Sequence, residues 1–415
     1  MRGYREDAER AFFSLFQHYY DSERDAKRQH DPANYSLARM LPLAALAGNP
    51  EGSLKIVHVA GTKGKGSTSH YISSLLSACG QRVGLFTSPH LATVRERFQI
   101  DNQLVSYETL TAAGQEFCEK LAAAGLEPSL FEIFTVLALK IFAEEGLDWV
   151  VLETGIGGRL DATNYISSPQ CTVITPVSYD HLALLGSSIE AIAGEKAGIL
   201  KRGCPLVLAE QPFSAAEEVI MARARCLEVP VYRPLPVQNI PGGILPSVCA
   251  PFLRSNFTVA LQVMNVLGLH PVWERFRLPE LRARCETIST EPLVVLDAAH
   301  NADSMQKLVA ALQELYPGIH FTVVLGMVQG KDVAGMVEAL KKLDADYILT
   351  NPHTSKGSAL KELQEHAAKA GLKVNAILEN LQDKSQLPAE TPLLFTGSFF
   401  TACIGEKFFE GAGGR

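Results

Sequence analysis

Apolar residues along this chain recur with two different periods, and the alternation between the two predicts an α/β fold. Short apolar runs of strand length occur at 54–60 and 148–153. Longer segments such as 107–124 and 129–145 instead repeat their apolar residues every three or four positions, which is the period of a helix. Strands that alternate with helices form parallel sheets covered by helices. We therefore predict an α/β architecture for most of the chain.

Three segments near the start of the chain complete this pattern. Residues 4–20 alternate charged and apolar positions and predict an amphipathic helix, and 37–46 predict a second helix that ends at Gly48-Asn49-Pro50. The run VRERFQIDNQLVS, residues 94–106, follows neither period. We predict that this run is flexible and partly extended.

A break in the alternation divides the chain into two predicted domains. Residues 233–251 are proline-rich and irregular, a helix is predicted over 256–267, and 268–278 has the character of a linker. A second series of strands then begins, and it is predicted at 293–297, 320–326, 346–350, 373–378 and 392–397. We predict domains over 1–274 and 275–415, the second being the smaller and doubly wound in the Rossmann-like manner.

The stretch between the first long strand and the helix after it has the layout of a phosphate-binding loop. Glycine lets backbone N–H groups turn toward an anion, and the helix N-terminus adds its dipole. Lys65 would reach the β- and γ-phosphates of a nucleotide, and the Ser67 hydroxyl would contact Mg²⁺. A plain strand-to-helix turn is the alternative, but a lysine between glycines argues against it. The candidate ATP contacts are Gly61, Thr62, Lys63, Gly64, Lys65, Gly66, Ser67 and Thr68.

Polar residues also follow three other predicted strands. Glu153 ends the strand at 148–153, where phosphate-loop enzymes hold Mg²⁺. Ser88 is a second candidate hydroxyl for a metal or a phosphate, although a turn before proline explains it equally well. His181 follows the strand at 172–177, and a single histidine is more often structural than a ligand. Lys196 lies in a predicted helical turn, where a solvated face is the usual explanation.

Composition narrows the class of protein. The chain has 415 residues and a net charge of −7, which argues against binding nucleic acid through phosphate neutralisation. Its eight cysteines are scattered without a CxxC pair, so reduced thiols and a cytoplasmic location are expected. The charged N-terminus has no apolar signal core, and no apolar run approaches the ~20 residues of a membrane span. We expect neither a membrane nor a nucleic-acid partner.

Several segments together resemble the folylpolyglutamate synthase and dihydrofolate synthase family, which belongs to the wider Mur-type ligases. They are GTKGKGST, FTSPHL, the FE…T helix, ETGIGGRLDATN, YDH, GEKAGILK, RCETIS, LDAAHN and FTGSFF, and they run from about residue 37 to the C-terminus. The resemblance implies a Mur-ligase-like central domain with a P-loop, followed by the smaller domain. It also implies an ATP-dependent amide ligase, in which ATP phosphorylates a carboxylate and the amine of L-glutamate then attacks the acyl phosphate.

The resemblance assigns roles to residues that the patterns left open. Ser67, Ser88 and Glu153 match the ligands of one Mg²⁺ in the family, and Glu153 and His181 match those of a second. Lys196 matches a lysine that is often carbamylated, a change that turns a cation into an anion beside the second metal. The implied catalytic set is Lys65, Glu153, His181 and Lys196.

The remaining implied contacts concern ATP and the pterin substrate. Asn256 is retained, and Arg284, Asp297 and His300 match residues that contact ATP from the second domain. The resemblance implies that Phe131 and Asp161 line the pterin pocket. There an aromatic ring stacks on the flat heterocycle, and a carboxylate accepts hydrogen bonds from its N–H groups. Dihydropteroate and tetrahydrofolate both remain open as acceptors, and a monomer is the expected state.

The chain departs from the family pattern at several points. Lys63 stands where many bacterial members have asparagine, and LDAAHN has alanine where glycine is common. A His-Gln pair is replaced by Phe252-Leu253, and region 211–251 is shorter than usual, which puts any nucleotide contact there in question. Two alternatives stay open. One is a peptidoglycan-precursor ligase, which usually carries an extra N-terminal domain that about 50 residues before the loop would not hold. The other is a non-catalytic nucleotide-binding relative.

Overall fold

The structure, a computed structural model, describes residues 2–21, 36–246, 249–352 and 358–409. The chain forms two compact units. The first contains the residues up to Leu245 together with Leu253–Pro279, and the second contains Pro246–Phe252 and the residues from Glu280 onward. The chain therefore passes from the first unit to the second, returns, and passes again. The predicted domain boundary between 274 and 275 stays a prediction.

The first unit is built on a mixed sheet in the order β4-β3-β2-β5-β1-β6-β7-β8. Its strands are β1 (Lys55–Ala60), β2 (Val83–Phe86), β3 (Phe98–Ile100), β4 (Gln103–Leu104), β5 (Trp149–Glu153), β6 (Cys171–Ile174), β7 (Leu206–Leu208) and β8 (Val231–Tyr232). The six strands β2, β5, β1, β6, β7 and β8, which are neighbours in this order, run parallel. Strands β3 and β4 add an antiparallel hairpin at one edge. The segment 94–106, predicted to be flexible and partly extended, contains both strands of this hairpin, so the structure confirms that it is extended in part.

Helices alternate with the strands of this sheet, as the sequence pattern predicts. They are α1 (Arg2–Ser14), α2 (Met40–Leu46), α3 (Lys65–Ala78), α4 (Tyr107–Ala124), α5 (Leu130–Glu144), α6 (Leu182–Leu185), α7 (Ile189–Ala197), α8 (Ser214–Cys226) and α9 (Pro251–Leu267). The first helix ends earlier than predicted. Its Phe12, together with Phe16 in the turn that follows, packs against Phe134 of α5 with ring centroids 5.7 Å apart in each pair.

The order of the central strands decides where the candidate site forms. Strand β1 lies between β5 and β6, and all three run parallel. Their carboxyl ends therefore meet at one edge of the sheet, with Val59 of β1 opposite Glu153 of β5. Ligands of open parallel sheets bind outside that edge. The phosphate loop, the turn after Glu153 and the segment containing His181 all begin there.

The second unit contains a smaller mixed sheet in the order β13-β12-β11-β14-β10-β9. Its strands are β9 (Glu286–Thr290), β10 (Leu293–Leu296), β11 (Phe321–Leu325), β12 (Ala345–Thr350), β13 (Val374–Leu378) and β14 (Leu393–Thr396), and its helices are α10 (Ala302–Leu315), α11 (Val333–Leu340), α12 (Leu360–Ala370) and α13 (Phe399–Phe409). All strands predicted in this region are present. The antiparallel edge strand β9 was not predicted.

None of the helices in the described residues has the length and apolar character needed to cross a lipid bilayer. None of the eight cysteines, all of which lie within the described residues, forms a disulfide bond.

Candidate active site

The phosphate loop turns on two glycines that no other residue replaces without strain. Gly61 has φ +147°, and a Cβ at that position would overlap the hydroxyl of Thr175. Gly64 has φ +83° and precedes α3, and a Cβ there would lie 2.5 Å from the Asn256 side-chain oxygen. A left-handed backbone and a close neighbour both require glycine. The same geometry brings Asn256 of α9 against the loop, as the resemblance implies.

The loop is tied to the segment that follows β6. The backbone N–H groups of Thr62 and Lys63 both donate to the Pro176 carbonyl at 3.0 Å. The Thr62 hydroxyl donates to the Ser178 carbonyl at 3.1 Å, and the Lys63 ammonium lies 3.8 Å from the Asp180 carboxylate. The lysine that distinguishes this chain from many bacterial members therefore has an acidic neighbour in YDH. These contacts hold the loop open toward the strand ends.

Glu153 is the acidic centre of the candidate site. Its side chain is 3% exposed, its Oε1 lies 3.9 Å from the Lys65 ammonium, and its Oε2 accepts a hydrogen bond from the Ser88 amide at 3.1 Å. A Cβ added at Gly66 would lie 3.6 Å from the same Oε2, so the loop passes directly over the carboxylate. Ser67 follows in the first turn of α3 and is 3% exposed. The structure thus brings Lys65, Ser88 and Glu153 together.

The donors present fit magnesium. Mg²⁺ prefers oxygen ligands and usually keeps several waters, taking one or two carboxylates together with substrate phosphates. Glu153 offers a buried carboxylate beside an amide of the serine turn, and hydroxyls of Ser67 and Ser88 belong to the segments that flank it. Among the described residues no group of three or more His, Cys, Asp or Glu side chains gathers at one point.

His181 and Lys196 both belong to the part of the chain that follows β6. His181 has φ +50° and starts the short helix α6, and its backbone N–H donates to Asp180, the neighbour of Lys63. Lys196 on α7 is 4% exposed, and its Nζ donates to the Gly61 carbonyl at 2.7 Å. Burial, with Lys65 and Lys63 as nearby cations, lowers the pKa of Lys196 to about 7. A substantial fraction of this amine is therefore neutral at physiological pH.

The two residues assigned to the pterin pocket both contact the turn after β5. A Cβ added at Gly155 would lie 2.7 Å from the Phe131 ring, so the ring rests on that glycine. Asp161 accepts hydrogen bonds from the Ile156 amide at 2.9 Å and from the Thr163 amide at 3.0 Å. Burial raises the pKa of Asp161, and its hydrogen bonds from Thr163 and Ile156 act in the opposite direction. A small recess opens beside Phe131, lined also by His90, Arg97 and Phe134.

The residues assigned to ATP in the second unit meet at the end of β10. Asp297 accepts from the Cys285 amide at 2.8 Å through one oxygen and from the Ala299 amide at 2.7 Å through the other. Arg284 precedes Cys285, and its guanidinium donates to the Ala283 carbonyl at 3.0 Å. The His300 ring is 2.9 Å from the Ala298 carbonyl. The structure therefore gathers Arg284, Asp297 and His300 within this unit.

Sequence reasoning missed residues that hold the turns of the candidate site in place by hydrogen bonds. Glu96 accepts hydrogen bonds from the amides of Leu91, Ala92 and Thr93, which fixes the turn after Ser88. The spacing of Thr93 and Glu96 is that of a capping box, so the sequence did contain a signal. Arg159 donates to the Glu195 carboxylate through two nitrogens, at 3.0 and 2.7 Å. That pair ties the GGRLD turn to the helix of Lys196.

Family comparisons agree with this architecture. Residues 59–208 match the Mur ligase middle domain, and residues 283–398 match the glutamate ligase domain of Mur ligases. The dihydrofolate synthase/folylpolyglutamate synthase of Bacillus subtilis is 34% identical over 341 residues, which cover 74% of this chain and 79% of that protein.

Solved structures give the same result. Mycobacterium tuberculosis folylpolyglutamate synthase complexed with ADP superimposes with a TM-score of 0.82 at 27% identity, covering 98% of this chain and 99% of that one. E. coli FolC in complex with DHPP and ADP has a TM-score of 0.75 at 28% identity, covering 87% and 91%. A bifunctional folylpolyglutamate synthase/dihydrofolate synthase with Mn, AMPPNP and L-glutamate bound has a TM-score of 0.77 at 29% identity, covering 90% and 94%.

The fold and the phosphate-loop site together define a Mur-type ligase, an ATP-dependent enzyme that forms a carbon–nitrogen bond. Within that class the chain belongs to the folylpolyglutamate synthase and dihydrofolate synthase family, whose reaction is the ATP-dependent addition of glutamate to folates. The membership confirms the resemblance drawn from the motifs. It also decides against a peptidoglycan-precursor ligase.

Proposed function

We propose that this enzyme joins L-glutamate to the carboxylate of a pterin-bearing acceptor by way of an acyl phosphate, and that the acceptor is dihydropteroate, tetrahydrofolate or both. The observation that carries the proposal is the Lys65–Glu153–Ser88 cluster beside the phosphate loop. A carboxylate has a poor leaving group, so phosphoryl transfer must precede amide formation. That transfer depends on positioning and on charge neutralisation more than on covalent help from the protein.

The residues of the loop fit the nucleotide role. Amides at the start of α3 would face a bound phosphate, and the helix dipole would favour its negative charge. The Lys65 ammonium, held 3.9 Å from Glu153, would contact the β- and γ-phosphate oxygens and would stabilise charge that develops as the γ-phosphate transfers. We assign Asn256 to the nucleotide as well, because its side chain lies against Gly64.

We assign one magnesium ion to Ser67, Ser88 and Glu153, and a second to Glu153 and His181. Bound there, magnesium would neutralise charge on the transferring phosphoryl group and on the acyl phosphate oxygens. Hydrogen bonds within the chain already hold two parts of this candidate magnesium site in place. The Ser88 amide orients Glu153, and Glu96 fixes the turn after Ser88 through three backbone amides.

We propose that Lys196 is carbamylated. The reaction joins the neutral amine to CO₂ and releases one proton, so it needs an amine that is unprotonated near neutral pH. The buried position of Lys196 and its pKa of about 7 satisfy that need. The product is an anion among the cations Lys63 and Lys65, where a bare ammonium would repel a metal.

The pterin is assigned to Phe131 and Asp161, which both contact the turn after β5. The recess beside Phe131 offers an aromatic wall for a flat heterocycle. We assign Arg284, Asp297 and His300 to ATP from the resemblance, and their gathering at the end of β10 supports that assignment. The DHPP, L-glutamate and nucleotide found in structures of relatives support this set of small molecules.

The test is phosphate release from ATP by the purified enzyme with Mg²⁺ and L-glutamate, run in parallel with 7,8-dihydropteroate and with tetrahydrofolate. Turnover with dihydropteroate alone identifies a dihydrofolate synthase, turnover with tetrahydrofolate alone a folylpolyglutamate synthase, and turnover with both a bifunctional enzyme. Absence of glutamate-dependent turnover with either acceptor would overturn the proposal and would direct attention to the shortened region 211–251.

A further inference from the structure

A polar side chain stands at the centre of the first sheet, where apolar residues are the rule. His58 lies on β1, opposite Leu152 of β5 and Thr172 of β6, and it is 0% exposed. Burying a polar group without a hydrogen bond is costly, so a histidine at such a position needs a partner that accounts for it. No role in the ligase reaction has been assigned above to His58.

The partner of His58 leads to the turn after β5. Its Nε2 lies 2.8 Å from the Thr163 hydroxyl oxygen, and Thr163 is itself 0% exposed. That hydroxyl donates to Oδ1 of Asp161 at 2.5 Å. Because Thr163 has a single hydroxyl hydrogen, its oxygen must accept the bond from His58. We assign the proton of the neutral imidazole to Nε2 from this network, which leaves Nδ1 without a hydrogen-bond partner among the described residues.

The hydrogen-bond chain from His58 through Thr163 to Asp161 fixes a carboxylate that organises the whole turn. Asp161 Oδ1 also accepts the Thr163 amide, while Oδ2 accepts the Ile156 amide at 2.9 Å. Ile156 follows Gly155, the glycine on which the Phe131 ring rests. Movement of the Asp161 carboxylate would therefore move the backbone beneath that ring.

We propose that His58 and Thr163 are positioning residues for pterin recognition. Through one hydrogen-bonded chain they hold the Asp161 carboxylate, and with it the turn from Gly155 to Asp161, in the geometry that receives a flat heterocycle with N–H donors. This inference rests on the assignment of the pterin to Phe131 and Asp161 made above. Both side chains are 0% exposed and so lie out of reach of the substrate, and the effect is therefore exerted on how tightly the acceptor binds and not on phosphoryl transfer.

The test compares matched variants of the whole enzyme in steady-state ligation with Mg²⁺ and with the pterin acceptor, dihydropteroate or tetrahydrofolate, that supports turnover in the phosphate-release assay. Thr163→Val removes the hydroxyl at nearly constant shape, whereas Thr163→Ser keeps it. His58→Leu removes the donor, whereas His58→Gln places an amide nitrogen where Nε2 lies. We expect Thr163→Val and His58→Leu to raise the KM for the pterin acceptor ~10-fold, the effect of one lost hydrogen bond. The KM for ATP and kcat should change less than about two-fold, and Thr163→Ser and His58→Gln should restore the parent value.

Other outcomes separate this inference from the assignment on which it rests. If Asp161→Asn leaves the KM for the pterin unchanged, the pterin assignment is wrong. If Asp161→Asn raises that KM and Thr163→Val does not, the assignment stands and the positioning role is wrong. Equal changes in all kinetic constants, or a loss of thermal stability with parent-like KM, would also overturn the role. If His58→Leu fails to fold, the KM of Thr163→Val for the pterin acceptor decides whether the positioning role is correct.

A spectroscopic measurement is independent of turnover. In enzyme labelled with ¹⁵N-histidine, His58 should show a neutral ring that carries its proton on Nε2. A proton on Nδ1 would contradict the direction of the hydrogen bonds and overturn the proposal. Thr163→Val should change the His58 ring signals, while Thr163→Ser should keep them near their parent positions.

Discussion

The Lys196 ammonium group donates a hydrogen bond to the Gly61 carbonyl, 2.7 Å away, across 135 positions of sequence. The bond joins the helix α7 to the first residue of the phosphate loop, and it is made where the side chain is almost fully buried. A change in the charge of this one amine therefore acts directly on the loop.

We expect enzyme incubated with ¹³C-bicarbonate at pH 8 to show a carbamate signal in its ¹³C NMR spectrum. With a pKa of about 7, the Lys196 amine is mostly neutral at that pH, and only the neutral amine reacts with CO₂. Lys196→Arg should lose the signal, because arginine keeps its charge. Lys201→Met is the control and should keep the carbamate signal, since Lys201 is a half-buried lysine nearby in sequence. A signal that survives in Lys196→Arg would disprove carbamylation at this site.

Lys65→Ala and Glu153→Ala should each abolish ligation without unfolding the protein. Both side chains lie at the loop and the strand end, not in the hydrophobic core, and both belong to the proposed phosphate and magnesium site. We expect glutamate-dependent phosphate release to fall about 100-fold or more, with little change in the thermal midpoint. Lys120→Ala, which alters an exposed lysine on α4, should match the parent. Near-normal turnover in either site variant would refute the assignment.

Gly155→Ala should weaken pterin binding. A Cβ at this position would lie 2.7 Å from the Phe131 ring and would push the ring from its place. We expect the KM for the pterin acceptor to rise at least several-fold while the KM for ATP stays near its parent value. Gly194→Ala is the matched control, because nothing lies within 4 Å of its added Cβ in α7. Parent-like KM in Gly155→Ala would show that Phe131 does not form the pocket.

Acid should destabilise the first unit through His58. Burial, together with the charge of Lys201, lowers the pKa of His58 to about 3. An unfolded histidine titrates near 6.5, so the unfolded state binds more protons between about pH 3 and 6.5 and the free energy of unfolding falls as pH falls through that window. The loss between neutral pH and pH 5 amounts to about 2 kcal/mol.

That prediction is checked by urea unfolding at pH 7 and pH 5, followed by tryptophan fluorescence. Both tryptophans, Trp149 and Trp273, belong to the first unit, so the signal reports that unit. His58→Gln should remove about 2 kcal/mol of the acid sensitivity. His320→Gln, which alters an exposed histidine of the second unit, should leave the acid sensitivity of the first unit unchanged. Equal acid sensitivity in the parent and in His58→Gln would contradict the prediction.

Sequence periodicity predicted the elements with strong patterns. The helix predicted at 107–124 is Tyr107–Ala124 in the structure, and the strands predicted in the second domain are all present. Sequence periodicity did not predict the short strands at the sheet edges, because so few residues bury too little surface to produce a periodic pattern of apolar positions. The hairpin of β3 and β4 did leave one signal, since Asp101 and Asn102 occupy its turn with φ +50° and +63°. An Asp-Asn pair tolerates that left-handed backbone.

Motif reasoning named individual site residues but not most of their partners. The contacts of Lys196 with Gly61 and of His58 with Thr163 each join positions more than one hundred residues apart. Such pairs depend on the order of β5, β1 and β6 in the sheet, which one sequence does not determine. The capping box of Thr93 and Glu96 is different, because its short spacing is a local signal that sequence reasoning could have used but missed.

The passage of residues 246–252 into the second unit, and the return of 253–279 to the first, has a consequence for biosynthesis. All strands of the first sheet precede residue 233, yet α9 supplies Asn256 against Gly64 and Phe257 against Tyr71, with ring centroids 5.0 Å apart. A nascent chain that ends at 245 therefore contains every strand of the first sheet but lacks the helix that brings Asn256 against the phosphate loop. At about 5–20 residues per second, the ribosome needs a few seconds more to synthesise that helix.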